Sequence, residues 1–168
     1  MPRIDNDNAQ SHIVHEEGLI LEDFMPYRLS VIANKISRAL SSIYKDKFGL
    51  SIPEWRVLAN LGRFEPMSSN QIAERGHMDK AKVSRAVASL LKSGLITRQT
   101  DPADHRMLIL KMSAKGRKIY TEIAALAQNW EQEFLSHLSP EDIEVFSNNL
   151  KSLCLKVTDS PDMAKIDD

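Results

Sequence analysis

Hydrophobic residues recur at intervals of three and four along most of the chain, which is the spacing of helices that bury one face. The first such stripe lies in residues 26–48 and ends at Gly49. Similar patterns predict a helix at residues 53–61, a short helix that Ser68 or Ser69 caps and that ends at Arg75, and two helices between residues 114 and 156. Ser113 and Ser139 are the predicted caps of those last two helices.

Residues 79–94 have the pattern of a short helix with two contrasting faces. Asp79 is a predicted N-cap, and Gly94 is a predicted left-handed residue just beyond the helix end. One face is hydrophobic and consists of Val83, Val87, Leu90 and Leu91. The opposite face is small and basic, with Ala81, Lys82, Arg85, Ala88, Ser89 and Lys92. A helix whose outer face has mostly short side chains can enter the major groove of DNA, and a few long hydrogen-bond donors on that face can then reach the base edges.

Two strands are predicted directly after this helix, at residues 95–100 and 107–112, around a turn of Asp, Pro and charged residues. The helix pair and the hairpin together have the layout of a winged helix-turn-helix. The pattern alone also allows a second interpretation, an amphipathic surface helix and a hairpin that bind nothing.

The distribution of charge favours the DNA-binding interpretation. The chain of 168 residues is 42% hydrophobic and 27% charged, with a net charge of −1, so its overall charge does not indicate nucleic acid. Residues 75–111, however, contain eight Lys or Arg residues against three Asp residues. Local concentration of positive charge is typical of a compact DNA-binding module.

Three segments carry a resemblance to the MarR family of winged-helix transcription regulators. They read IPEWRVLANL, SSNQIAERGHMDKAKVSRAVASLLKSGLI and DPADHRMLILKMSAKG. The last is similar to the family's wing pattern, except that His105 replaces an arginine and Ser113 replaces a threonine. The resemblance covers about residues 25–155 in architecture and is most specific in the central third.

The resemblance and the hydrophobic pattern together predict a mainly α fold with a small β-wing. We expect an N-terminal arm at 1–24, a dimerisation helix at 25–49, a winged helix-turn-helix domain at 50–113, C-terminal dimerisation helices at 114–156 and a flexible tail at 157–168. Apolar stripes at both ends of the chain exceed what one small domain covers. They predict a homodimer that presents two recognition helices to a palindromic operator in double-stranded DNA.

Specific residues are predicted to contact DNA. Lys82, Ser84 and Arg85 would reach base edges, and Arg106 would enter the minor groove from the wing. Asp104 would hold Arg106 in place, and the phosphate contact of His105 is in doubt because arginine is usual there. Phosphate contacts are predicted for seven further residues: Ser69, Asn70, Gln71, Arg75, Lys80, Lys92 and Arg98.

Arg28 lies at the edge of the first apolar stripe, where it either extends its charge into water or pairs with an anionic ligand. Members of the resembled family commonly bind aromatic acids or related compounds between the dimerisation helices and the winged domain. The stretch PYRLSVIANKISRA resembles the branch that regulates catabolism of aromatic acids or their coenzyme A thioesters. The corresponding pocket would be lined by Tyr27, Arg28, Ile32, Trp55 and Ile119. An anionic or aromatic effector is therefore expected to release a repressor from DNA.

The sequence contains no recognisable catalytic or metal-binding motif, so no enzyme activity, metal or cofactor is expected. The single cysteine, Cys154, excludes an internal disulfide, and we expect a buried hydrophobic role for it in preference to oxidation sensing.

No membrane span or signal peptide is evident, which predicts a cytoplasmic protein. The alternative function is a winged helix that binds another protein and has no DNA role.

Overall fold

The computed structural model describes residues 18–102 and 104–159, with side chains described through Val157. Contacts divide the chain into one unit that ends at Ala39 and a second that begins at Leu40. The elements, in order, are α1 (Met25–Phe48), α2 (Ile52–Phe64), α3 (Ser69–Arg75), α4 (Lys80–Lys92), β1 (Ile96–Thr100), β2 (Leu108–Met112), α5 (Ala114–Leu135) and α6 (Pro140–Asp159). The predicted fold class, mainly helical with a small two-stranded wing, is confirmed.

The helix ends follow the local chemistry of their sequences. The Asp79 carboxylate accepts the Lys82 backbone N–H at 2.9 Å, and Ser113 Oγ accepts the Gly116 N–H at 3.0 Å, as predicted for N-caps. Ser68 caps α3, so Ser69 is its first helical residue. Gly94 has φ +69°, the left-handed conformation expected just beyond the end of α4.

Several predicted boundaries were wrong by one to three residues. Helix α2 continues to Phe64, beyond the predicted end at residue 61. Strand β1 begins at Ile96 because the Leu95 N–H still bonds to the Leu90 carbonyl at 2.9 Å, which completes the helix end. Helix α6 continues to Asp159, three residues into the predicted tail, and residues 160–168 lie outside the described part. Residues 1–17 of the predicted N-terminal arm also lie outside it.

The hydrophobic core of the second unit lies between α2, α3, α4 and the sheet, with a contribution from α5. Its fully buried side chains include Val57, Leu58, Leu61, Ile72, Val83, Leu90, Leu110 and Ile123. Burial of each such side chain contributes about 1.5–3 kcal/mol. An aromatic stack extends this core, with the Trp55 ring 5.6 Å from Tyr44 and 5.9 Å from Tyr120 between centroids. Burial raises the pKa of Tyr44, an effect that the charge of Arg56 partly opposes.

Helix α6 has an apolar face that no part of the described chain buries. None of its side chains between residues 140 and 157 is buried, and Phe146 is 54% exposed. The prediction that Cys154 is buried was therefore wrong, because Cys154 is exposed. Helical periodicity correctly grouped Cys154 with Leu150 and Leu153, but that grouping does not determine whether another element covers the face.

Candidate nucleic-acid interface

Helix α4 presents the two faces that its sequence predicts. Val83, Val87 and Leu90 are buried, and Leu91 packs partly buried against the core. The small and basic side chains of the other face are exposed, namely Ala81, Lys82, Ser84, Arg85, Ala88, Ser89 and Lys92. Ala86 is also buried, which the hydrophobic stripe did not include. A thin cationic face is thus available to a partner along the whole helix.

A tight turn joins α3 to α4 and holds the two helices as a helix-turn-helix. The Gly76 N–H bonds to the Ile72 carbonyl, and the Met78 N–H bonds to the Ala73 carbonyl, both at 2.9 Å. His77, between them, has φ +45°, which is uncommon for a residue with a side chain. Met78 packs against the core. These bonds place α4 directly after α3, as in a helix-turn-helix.

The wing is an antiparallel hairpin in which Ile96 pairs with Met112 and Thr100 pairs with Leu108. At its tip the Met107 N–H bonds to the Asp104 carbonyl at 2.8 Å. The Asp104 carboxylate accepts the Arg106 backbone N–H at 3.0 Å, so Asp104 shapes the turn through the main chain. His105 and Arg106 are exposed at this tip.

A third backbone segment joins the wing, which the sequence pattern did not predict. Met67 forms a bridge with Leu110, in which the Leu110 N–H donates to the Met67 carbonyl at 2.8 Å and the reverse bond measures 3.2 Å. The bridge attaches the segment before α3 to the centre of β2. It therefore fixes the wing relative to the helix-turn-helix.

The predicted phosphate-contacting side chains lie on the outer surface of the same unit. Ser69 is half-buried, whereas the other members of the set are exposed: Asn70, Gln71, Arg75, Lys80, Lys92 and Arg98. Two of them have structural partners that the prediction missed. Gln71 Oε1 accepts the Ser68 N–H at 2.7 Å, and the Arg75 guanidinium lies 3.9 Å from the centre of the Phe64 ring.

Glu54 joins the start of α2 to the recognition helix α4. Its carboxylate accepts the Ser51 N–H at 2.7 Å and the hydroxyls of Ser51 and Ser89. Burial raises the pKa of Glu54, but the hydrogen bonds outweigh burial, and its pKa lies below the ordinary range. Sequence analysis missed this residue, although Ser51 and Glu54 have the Ser-x-x-Glu spacing of a capping box, as Ser68 and Gln71 have its Ser-x-x-Gln form.

The predicted effector residues occur in two groups, one in each unit. Tyr27, Arg28 and Ile32 line one open cavity of about 460 Å³ in the first unit. The other lining residues of that cavity are Glu22, Met25, Leu29, Val31 and Lys35. Trp55 and Ile119 belong to the second unit, where both pack against the core. This cavity combines two cations, Arg28 and Lys35, and one carboxylate, Glu22, with an apolar wall.

Within residues 18–102 and 104–159, no group of three or more His, Cys, Asp or Glu side chains is placed to hold a metal ion. Across the same residues, no helix combines the length and the apolar character that crossing a membrane requires.

Comparison with known proteins supports the same fold. The sequence model of the MarR family matches residues 48–107, which hold the helix-turn-helix, strand β1 and the turn that follows it. A crystal structure of a MarR/EmrR family transcriptional regulator from Acinetobacter sp. ADP1 superposes with a TM-score of 0.76 at 25% identity. That match covers 84% of this chain and 100% of the other. The chain resembles MarR-family transcriptional regulators in sequence over residues 48–107 and in fold over most of its length.

One further sequence match and one further structural match cover different shares of this chain. The HTH-type transcriptional regulator BilQ of Clostridium symbiosum is 29% identical over 57% of this chain and 67% of its own length. CouR from Rhodococcus jostii RHA1, whose crystal structure contains p-coumaroyl-CoA, has a TM-score of 0.68 at 19% identity. That match covers 81% of this chain and 95% of CouR, and it shows the shared fold alone.

Proposed function

We propose that this chain is a transcriptional regulator that binds a palindromic operator as a homodimer in the cytoplasm and represses transcription until a small anionic or aromatic effector releases it. The observation that carries the proposal is the exposed basic face of α4 beside the exposed wing tip. Lys82, Ser84 and Arg85 on that face would read base edges, and Arg106 would enter the minor groove.

The remaining DNA contacts would be made to phosphates. Those side chains are Ser69, Asn70, Arg75, Lys80, Lys92 and Arg98, with His105 at the wing tip. Gln71 is the weakest of the predicted contacts because its carbonyl oxygen already caps α3. Asp104 would contribute by shaping the wing turn, since a carboxylate does not bind phosphate.

The exposed apolar residues support the dimer. Val145, Phe146 and Leu155 of α6 are each 54% exposed or more, and Ile32 of the first unit is 48% exposed. Exposed apolar side chains grouped on a helix mark interaction sites in soluble proteins. A second copy would bury these faces and would bring two recognition helices to the two halves of a palindrome.

Fluorescence anisotropy with DNA from upstream of the regulator's own gene tests the DNA-binding role. We expect tight binding that weakens steeply with salt and exceeds binding to a scrambled duplex. Arg85→Ala should weaken operator binding by about 1–3 kcal/mol and relax the base preference. Lys118→Ala on exposed α5 is the matched control and should bind normally. Weak binding, equal on both duplexes and little affected by salt, would favour the protein-interaction function instead.

The effector proposal has its own support and its own test. The cavity that Arg28 lines has a mainly apolar wall with two cationic side chains, Arg28 and Lys35. The crystal structure of the structural neighbour CouR contains an aromatic coenzyme A thioester. Calorimetry with p-coumaroyl-CoA and with p-coumarate as probes, on wild type and Arg28→Ala, measures the contribution of this arginine. Equal affinity in both proteins for a probe that binds would remove Arg28 from the site.

A further inference from the structure

The ends of α2, α4 and β2 meet the first turn of α5 at one junction in the second unit. Ser113 ties α5 to the end of α4, because its hydroxyl donates to the Gly94 carbonyl at 2.7 Å and its N–H donates to the Leu95 carbonyl at 3.0 Å. Lys115 Nζ donates to the Ser93 carbonyl at 3.1 Å. The first turn of α5 is thus bonded directly to the end of the recognition helix.

Glu65, just after α2, connects the other two elements at this junction. One carboxylate oxygen accepts the Met112 backbone N–H of β2 at 2.8 Å. The other oxygen accepts a hydrogen bond from the Arg117 guanidinium of α5. The Glu65 side chain is 23% exposed and the Arg117 side chain is 52% exposed, so solvent screens the ion pair mainly from the Arg117 side. Charge-assisted bonds of this type hold a defined geometry.

We propose that Glu65 and Arg117 form a brace. This brace sets the angle between α5 and the winged helix-turn-helix, which contains the recognition helix α4 and the wing. In the dimer this angle determines the separation of the two recognition helices, a consequence that rests on the proposed function. Both are positioning residues and act on DNA through α4 and the wing. Neither belongs to the predicted DNA-contacting set.

Because α5 is long, a small change in this angle moves the far end of the helix by several ångströms. With 22 residues, α5 is about 33 Å long at 1.5 Å per residue. A tilt of about 5° at its first turn therefore displaces its far end by about 3 Å. That displacement is close to the rise of one base pair, about 3.4 Å. Because both protomers of a two-fold dimer would move, a small change at the brace would shift the preferred half-site spacing by about one to two base pairs.

Operator duplexes with altered spacing test the brace. The operator is taken from DNA upstream of the regulator's own gene, or selected from a random-sequence pool if that DNA does not bind. Affinity is measured for the natural spacing and for spacers one base pair shorter and longer. We expect Arg117→Ala to reduce the wild-type preference for the natural spacing at least about fivefold, since loss of the brace frees the angle. Arg117→Lys should restore part of the preference because it keeps the charge.

Two further variants separate positioning from stability. Glu65→Gln retains an acceptor for the Met112 N–H and removes the ion pair, so it should reproduce the loss of spacing preference even if Arg117→Ala unfolds. Lys118→Ala, an exposed neighbour on α5, should keep the wild-type preference. If Glu65→Gln lowers affinity for all spacings by the same factor, the brace is refuted while the proposed function stands. If the wild type binds no operator, or binds without a spacing preference, the palindromic function fails and the brace has no role in DNA spacing.

Discussion

Replacement of Gly116 by alanine should destabilise the regulator, although alanine is the better helix former. Gly116 is the third residue of α5 and is buried against the backbone of Leu95. A Cβ at this position would lie 2.9 Å from the Leu95 carbonyl carbon and closer still to its oxygen. That oxygen also accepts the Ser113 N–H at 3.0 Å, so it cannot move away without weakening the junction.

The magnitude follows from three opposing contributions. Overpacking against backbone costs about 1–3 kcal/mol, and the rigid carbonyl places this case at the upper end. A weakened Ser113 hydrogen bond costs about 1 kcal/mol more. The higher helix propensity of alanine returns about 1 kcal/mol. We therefore expect the free energy of unfolding to fall by about 2–3 kcal/mol.

Urea unfolding, followed by far-UV circular dichroism at one fixed protein concentration, measures this loss. Gly94→Ala is the matched control, because Gly94 has φ +69° and open space around its Cα. That variant should lose only the cost of the left-handed backbone, about 1 kcal/mol. A Gly116→Ala protein as stable as wild type, or more stable, would refute the close approach of α5 to Leu95.

Two other substitutions test separate features of the structure. His77→Gly should raise the free energy of unfolding by about 0.5–1 kcal/mol, because glycine removes the strain of a left-handed residue at φ +45°. Urea unfolding measures this change, and a loss of stability would contradict the turn geometry. Glu54→Gln tests the lowered pKa of Glu54. The wild-type carboxylate contributes stability that is fully present above the ordinary glutamate pKa of about 4.3 and is lost as pH falls through the lowered pKa. The stability difference between wild type and Glu54→Gln, measured by urea unfolding at pH 7, 5, 4 and 3, should therefore be equal at pH 7 and 5 and should shrink below about pH 4.3. A constant difference down to pH 3 would contradict the assignment.

Features that depend on residues a few positions apart could be predicted from the amino-acid sequence. The caps of α4 and α5 each join a side chain to a backbone N–H three residues later. The exit from α4 needs only a glycine that tolerates positive φ. The two faces of α4 follow from helical periodicity. Local chemistry and periodicity therefore predicted the winged helix-turn-helix and the exposed basic helix.

The tertiary structure alone decided the features that join distant parts of the chain. Glu65 bonds to Met112 and Arg117, which are 47 and 52 residues away, and no local pattern indicates such partners. Phe64 and Arg75 meet only because α2 packs beside α3. Exposure of Cys154 depends on whether another surface covers α6. The physical reason is the same in each case: periodicity shows which residues share a face, whereas long-range packing decides what that face contacts.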